Sequence, residues 1–403
     1  MSITRAVILA AGEGNRMHPL TYTRPKVMLP IAGKPILEHL LLEMRQAGIK
    51  DFVIISGYHD EIIRNHFDDA SRWNINIRYI NQRKQLGTAD ALRMVEGVIK
   101  DDFLMANGDV IVNHQDIQRL MQRTGNVMST IELQDVSNLG VIEGDEGKVT
   151  RIYEKMAEPP SHLANAGLYL FTPDIFDAIG KTEKSLRGEY EITDSIQILV
   201  DSGTPVFYHT LNNWWDLSYP WDLLTVNESL MADLKPQNSG EIESNVVVKE
   251  ALSVGKGTII RSGSYILGPV IIGQNCDIGP NCFIRPSSAI GDNCHIGAAV
   301  EVKNSIIMKG TKIPHLNYVG DSIIGENCNL GAGTKIANLK LDKKNVTLNG
   351  IDTKRRKLGA IIGDKVETGI NSSINVGTMI GNNTLIGPGA LVHGVISPGS
   401  KVF

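Results

Sequence analysis

The sequence predicts two domains of different class: an α/β domain over residues 1–232 and a parallel β-helix over residues 246–403, joined by a linker at 233–245. Three observations carry this. Up to about Ala232, short β-like runs alternate with helical ones, which implies a mostly parallel sheet with helices on both faces. Beyond Asn245, aliphatic residues recur at every sixth position, as at Val248, Val254, Ile260, Ile266, Ile272, Ile278, Ile284, Ile290, Ile296 and Val302. Such a hexapeptide ladder is the signature of a parallel β-helix. Between the two lies Leu234-Lys235-Pro236-Gln237-Asn238-Ser239-Gly240, which has the composition of a linker. At 403 residues, each part is long enough to bury its own core.

The first expected strand, residues 3–9, runs into Ala10-Ala11-Gly12-Glu13-Gly14-Asn15-Arg16-Met17. Gly12 and Gly14 permit positive φ and let backbone N–H groups crowd around an anion, which makes a phosphate cradle. Arg16 and Lys26 add two cations, and Pro25 restricts the backbone that presents Lys26. Met17 stands where a dinucleotide fingerprint requires glycine, so the pattern favours a nucleoside triphosphate.

Further strands are expected at residues 52–55, 75–80 and 103–106, with helices at 36–47, ended by Gly48, and at 89–99, capped by Thr88. Ligands of such sheets bind at the carboxyl ends of the strands. There, Gln82, Gln85 and Gly87 suit hydrogen bonding to a pyrimidine edge, although an ordinary β–α loop has the same composition. Asn107-Gly108-Asp109 follows the fourth strand and turns Asp109 toward nucleotide phosphates. Magnesium held on phosphates needs only one or two carboxylates. Asp222 reads as a first-turn helix acid.

In the β-helix, three hexads make one coil, so residues eighteen apart stack at about 4.8 Å. Cys276 and Cys294 then stack as small interior residues. The four cysteines lack C-x-x-C spacing, so free thiols are expected and a zinc site is not. Arg285 and Lys303 are also eighteen apart. Two stacked cations require an anion such as phosphate beside them, or both side chains splay into water. The ladder is expected to slip near Pro314, at Pro314-His315-Leu316-Asn317-Tyr318-Val319-Gly320-Asp321, and such interruptions carry function. The run Lys354-Arg355-Arg356-Lys357 reads either as a contact for cofactor phosphates or as a solvated loop.

These residues also carry a resemblance. Leu-Ala-Ala-Gly-x-Gly-x-Arg-Met with the downstream Pro25-Lys26 resembles the nucleotidyltransferases that make nucleotide sugars from a sugar 1-phosphate and a nucleoside triphosphate. The stretch from His315 through Asn329, Gly331-Ala332-Gly333-Thr334 and Asn338 resembles the acetyltransferase domain of the bifunctional N-acetylglucosamine-1-phosphate uridylyltransferase/glucosamine-1-phosphate acetyltransferases, particularly the archaeal type. The resemblance implies a Rossmann-like nucleotidyltransferase domain followed by a left-handed β-helix that forms a homotrimer. It implies UTP or dTTP against Leu9, Ala10, Gly12, Gly14, Gln82, Gly87 and Thr88, with Arg16 and Lys26 catalytic and Mg2+ on Asp109 and Asp216. Gly140, Glu154 and Asn165 would hold the sugar phosphate, N-acetylglucosamine 1-phosphate or glucose 1-phosphate.

In the second half the resemblance makes His315 the general base toward acetyl-CoA, assigns the acceptor's phosphate to Arg285, Lys303 and Lys344, and gives Tyr318, Asn329 and Asn338 to the glucosamine. Three positions depart from the bacterial pattern: Ala166 replaces a threonine, Asn338-Leu339-Lys340 replaces Asn-Tyr-Asp-Gly, and Ile370 replaces a serine associated with acetyl-CoA. The alternative is a single-activity pyrophosphorylase whose β-helix serves oligomerisation or regulation. Net charge −4 and a pI near 6.2 give no reason to expect nucleic acid or anionic membrane as a partner. With neither a secretory h-region nor a spanning run, a cytoplasmic location is expected.

Overall fold

The computed structural model describes residues 3–68, 70–136, 139–154, 158–215 and 217–403. They divide into two units, one built from residues 1–13, 24–28 and 36–216 and the other from residues 14–23, 29–35 and 217–403. Neither unit is one continuous run of sequence.

The first unit is a nine-stranded sheet of β1 (Arg5–Ala10), β2 (Asp51–Ser56), β3 (Asn76–Asn81), β4 (Phe103–Asn107), β5 (Asn126–Glu132), β6 (Val141–Asp145), β7 (Lys148–Tyr153), β8 (Leu163–Phe171) and β9 (Val206–Thr210), in the order β3-β2-β1-β4-β8-β5-β9-β7-β6. The half from β3 to β4 is parallel, and β8 runs antiparallel to both of its neighbours. Along β1 the side chains alternate between two cores: Ala6, Ile8 and Ala10 join one, Val7 the other. Strand order, not chain direction, switches at β1, which lies between β2 and β4, and the carboxyl ends of β1 and β4 mark the crevice at which such sheets bind ligands.

Two local expectations differ from the structure. The helix after Gly87 spans Thr88–Arg93 and stops short of residue 99. Thr88 is its first residue, with Gly87 at the cap, and the Thr88 hydroxyl accepts the Ile192 N–H at 2.8 Å instead. A tertiary partner has claimed the oxygen that local sequence assigns to the helix end.

The second unit is a left-handed parallel β-helix of three sheets with nine, nine and eight strands. The first sheet runs from Gln237–Asn238 to Val395–Ile396, the second from Glu241–Ile242 to Lys401–Val402, the third from Val247–Lys249 to Leu391–Val392. Its first coil thus begins within the stretch read as a linker. The hexad residues Ile260, Ile266, Ile278, Ile284 and Ile296 point inward with no exposed surface, each contributing about 1.5–3 kcal/mol of burial. Cys276, Cys282, Cys294 and Cys328 are buried free thiols. In the same interior column, the Cys276 and Cys328 N–H groups donate to Thr258 and Thr311 hydroxyls.

The slip in the ladder is not at Pro314, where Ile313 and Val319 stack in register on Ile296 and Val302. It comes from two corners, Val302 to Ile307 and Val319 to Ile324, that are one residue shorter than a hexad. The true insertion is residues 337–359, across which Ile336 still pairs with Ile374. The first sheet is apolar on its outer side as well: Ala289, Ile306, Ile323 and Ile361 are buried. Over this face the unit folds the helix Asp222–Met231, whose Asn227 Nδ2 donates to Ser287 O at 2.8 Å while its Oδ1 accepts from Ala32 N at 2.8 Å. Among the described residues no helix is long and apolar enough to cross a membrane.

Candidate active sites

In the first unit the crevice at β1 and β4 collects most of the expected nucleotide residues. Leu9 and Ala10 end β1, and Leu9 pairs with Asn107 on β4. The next residues fold back, with Gly108 N donating to Leu9 O at 2.8 Å. This hands Asp109 to Lys26, whose Nζ lies 2.5 Å from Asp109 Oδ2. Lys26 opens a short helical turn closed by Met28 N to Pro25 O, so Pro25 does present it. Asp216 lies outside the described residues, and Trp215 before it bridges to Ile111. No group of three or more His, Cys, Asp and Glu side chains forms a metal cage among the described residues.

Gly12 has neither a positive φ nor a close neighbour, whereas Gly14 takes φ 77. Gly14 and Arg16 belong to the second unit, where the Arg16 guanidinium lies 5.7 Å from the Tyr219 ring centroid.

The base loop is tightly built. Gln82, nearly buried, donates to Asp90 at 3.0 Å, and Gln85 donates to Ala11 O at 2.8 Å, tying this loop to the end of β1. Gly87 sits at φ 115, and a Cβ there would fall 2.4 Å from Tyr190 O. Only glycine fits. The segment that crowds it exchanges backbone bonds with Leu86 and Ala89 and then supplies Arg187, Glu191 and Thr193 to the sugar-side residues. Glu154 accepts from Thr193 Oγ1 at 2.8 Å and pairs with Arg187 at 3.5 Å, and Arg187 also holds Glu191 at 2.7 Å. Burial, with the charge of Glu154 nearby, pushes the Glu191 carboxyl above its usual range, and Arg187 partly offsets this. A Cβ on Gly140 would stand 3.3 Å from Glu154 Oε1, and Asn165 N donates to Gly140 O at 2.8 Å. Gly140, Glu154 and Asn165 are therefore one cluster. Arg187 and Thr193 are additions that the sequence reading missed, lying in a loop whose relation to Glu154 only folding reveals.

On the β-helix, Arg285 and Lys303 stand on neighbouring coils of the third sheet. Their expected need for an external anion is met by the chain itself. Arg285 Nη1 binds Glu301 Oε1 at 2.8 Å and Lys303 Nζ binds Asp321 Oδ2 at 2.8 Å. Tyr318 lies on the next strand of the same sheet, and Asn338, just beyond Lys335–Ile336, donates to the Tyr318 hydroxyl at 3.1 Å and to Asp321 at 2.5 Å. Burial raises the Tyr318 phenol above its ordinary value. Lys303 and Asn338 thus converge on Asp321, a residue that sequence reading passed over, and Asn338 links Tyr318 to the same cluster. His315 and Asn329 are exposed and belong to strands of the second sheet, so the corner between sheets separates them from that cluster. Lys344 is exposed on the insertion. Arg355, expected either at cofactor phosphates or in solvent, instead binds Glu228 at 2.5 Å and Thr225 at 2.8 Å on the helix Asp222–Met231.

Known proteins share this build. The nucleotidyl transferase family model matches residues 5–233, and the model of the GMPPB C-terminal domain matches residues 266–375. A bifunctional protein GlmU of Methanococcus vannielii is 41% identical, with 99% of this chain and 97% of that one covered. A bifunctional sugar-1-phosphate nucleotidylyltransferase/acetyltransferase of Sulfurisphaera tokodaii is 38% identical, covering 96% and 97%. The crystal structure of a UDP-glucose pyrophosphorylase complexed with UDP-glucose superposes with a TM-score of 0.52, covering 57% of this chain and 98% of that one. At 24% identity that likeness concerns the fold alone. With relatives of this identity matched along nearly their whole length, the chain belongs to the family of bifunctional sugar-1-phosphate nucleotidylyltransferase/acetyltransferases.

Proposed function

We propose that the β-helix transfers an acetyl group from acetyl-CoA to the amine of glucosamine 1-phosphate, and that the first unit transfers UMP or dTMP to N-acetylglucosamine 1-phosphate or glucose 1-phosphate. In the second reaction a sugar phosphate oxygen attacks the α-phosphate of the nucleoside triphosphate and pyrophosphate leaves. The protein's share is positioning and charge neutralisation. Lys26 meets the phosphates, Gln82, Gly87 and Thr88 the base, and Gly140, Glu154 and Asn165 the sugar. Asp109 suits a hard cation in donor chemistry, since it is a carboxylate with about a third of its side chain exposed. With Asp216 it would hold Mg2+, which when bound on the phosphates neutralises the charge of the leaving pyrophosphate.

For acetylation, His315 takes the proton of the attacking amine, the nitrogen bonds to the thioester carbon, and the CoA thiolate departs. An exposed imidazole at a strand end has the required access to solvent and substrate. Arg285, Lys303 and Lys344 face the acceptor phosphate; Tyr318, Asn329 and Asn338 face its sugar. The division of these groups between two sheets supports a site completed by a neighbouring copy in a homotrimer. Both co-substrates are cytoplasmic metabolites, which fits the expected location.

The observation that favours two activities over a pyrophosphorylase with an inert β-helix is the convergence of Lys303 and Asn338 on one buried carboxylate, with Tyr318 tied to them through Asn338. A scaffold needs no such cluster. Release of free CoA thiol with glucosamine 1-phosphate as acceptor tests it. Wild type should release thiol and His315→Ala should lose about 100-fold or more of that rate. No release from folded wild type that still transfers nucleotide would leave the β-helix as an assembly element.

A further inference from the structure

The two short corners of the ladder place two residues in left-handed backbone conformations, Asn304 at φ 46 and Asp321 at φ 50. Both turn their side chains into one network. Asp321 is 2% exposed, too enclosed to touch a substrate, yet its carboxylate receives Lys303 Nζ at 2.8 Å, Asn304 Nδ2 at 2.9 Å and Asn338 Nδ2 at 2.5 Å. A carboxylate only accepts hydrogen bonds, so the Asn338 amide must turn its nitrogen inward and its oxygen away. The second Asn338 N–H goes to the Tyr318 oxygen, which leaves the phenolic proton to donate elsewhere.

Behind Asp321 the arrangement is braced. Asn304 Nδ2 also reaches Glu228 Oε1 at 2.7 Å, and Glu228 in turn receives Arg355. Two acids and two bases balance, so the carboxylate is held without a net buried charge.

We propose that Asp321 is the positioning residue of the acetyltransferase site. Its carboxylate aims the Asn338 carbonyl, an acceptor, at the amino sugar and the Lys303 ammonium at its phosphate. The assignment rests on the reading that Lys303, Tyr318 and Asn338 hold the acetyl acceptor. Acceptor binding depends on the aim of these groups, whereas proton transfer at His315 and attack on the thioester do not pass through Asp321.

The experiment measures CoA release against glucosamine 1-phosphate concentration for wild type, Asp321→Asn, Lys303→Met and Lys303→Met/Asp321→Asn, with nucleotidyl transfer as the folding control. Asp321→Asn should raise the acceptor KM about tenfold to a hundredfold while kcat changes less than about threefold, because bonds to a charged group are lost on the acceptor side alone. Ser322→Ala controls for a purely structural role. Its buried hydroxyl bonds Gly320 O and Ala360 N in the same corner, so its loss should lower stability and leave KM unchanged. Should Asp321→Asn fail to fold, the double variant, which removes the charge pair together, is compared with Lys303→Met. A higher KM in the double variant supports the aiming of Asn338, and equal values overturn it. Unchanged KM in folded Asp321→Asn, or an equal rise in Ser322→Ala, likewise overturns the proposal. Absence of CoA release from wild type would instead defeat the parent reading.

Discussion

Two lysine–aspartate pairs, one in each unit, share their chemistry and nearly their length, 2.5 Å for Lys26–Asp109 and 2.8 Å for Lys303–Asp321. They differ in water access to the acid. The Asp109 side chain is 35% exposed and that of Asp321 3%. A carboxylate in contact with water can exchange its lysine for another cation at little cost, and so suits a site that is rebuilt each turnover. A sealed one cannot, because an unpartnered charge in the interior costs several kcal/mol. The same pair is thus a replaceable contact in the crevice and a fixed brace in the β-helix.

Removing each lysine sharpens that contrast most. Lys26→Ala should cut nucleotidyl transfer about 100- to 1,000-fold, as loss of one positioned cation does, and leave both acetyl transfer and thermal stability nearly unchanged. Lys303→Met should do the opposite to stability, lowering it by about 3 kcal/mol because Asp321 stays behind, buried and held by amides alone. Paired activity assays and chemical unfolding of the two variants read this directly. Equal loss of both activities in Lys26→Ala would show that the sites are not separate, and an unshifted unfolding curve for Lys303→Met would show that Asp321 is hydrated after all.

A smaller effect is expected from Gly320→Ala. Gly320 pairs with Lys303 on the adjoining coil, and a Cβ there would come within 2.6 Å of the Tyr318 hydroxyl and 2.7 Å of Asn338 Nδ2. Both are the far ends of flexible side chains, so the coil survives while the two groups move. Acceptor KM should rise about tenfold, the equivalent of one lost hydrogen bond, with nucleotidyl transfer intact. An unchanged KM would mean that neither group meets the acceptor.

The contrast also marks what sequence conveys. The hexad ladder was plain because an interior that admits one aliphatic residue per face repeats its demand in every coil. Asp109 and Lys26, 83 residues apart, were each singled out, Asp109 for following a strand and Lys26 for following Pro25, but their pairing was not read. Asp321 was not, since the ladder was read as interrupted at Pro314 when the irregularity is a shortened step after Val302 and again after Val319. The five-residue spacing to Ile307 and Ile324 was the missed signal. A second lay in the doublets Ile271-Ile272, Ile306-Ile307, Ile323-Ile324 and Ile361-Ile362, where adjacent apolar residues mark a sheet buried on both sides. Nothing local announces that residues 14–23 and 29–35 join the second unit, because that depends on which surface the folded β-helix offers.

The smallest expected effect tests the first unit by pH. On β9, His209 pairs with Ser129 of β5, and its Nε2 is buried without a hydrogen-bond partner. Burial, then the charge of Arg123, lowers its pKa from the ordinary 6.5; Asp116 opposes this and Arg119 adds to it. A depressed histidine pKa means that the unfolded chain binds more protons than the folded one between the folded pKa and 6.5. Stability from this group is therefore full above that ordinary value and falls as the solution is acidified through it. In a protein unfolded at about pH 7 and about pH 5.5, the loss on acidification should be smaller for His209→Gln than for wild type, because the variant has no proton to take up. Identical pH dependence in the two proteins would show that His209 is solvated and that its buried nitrogen finds water.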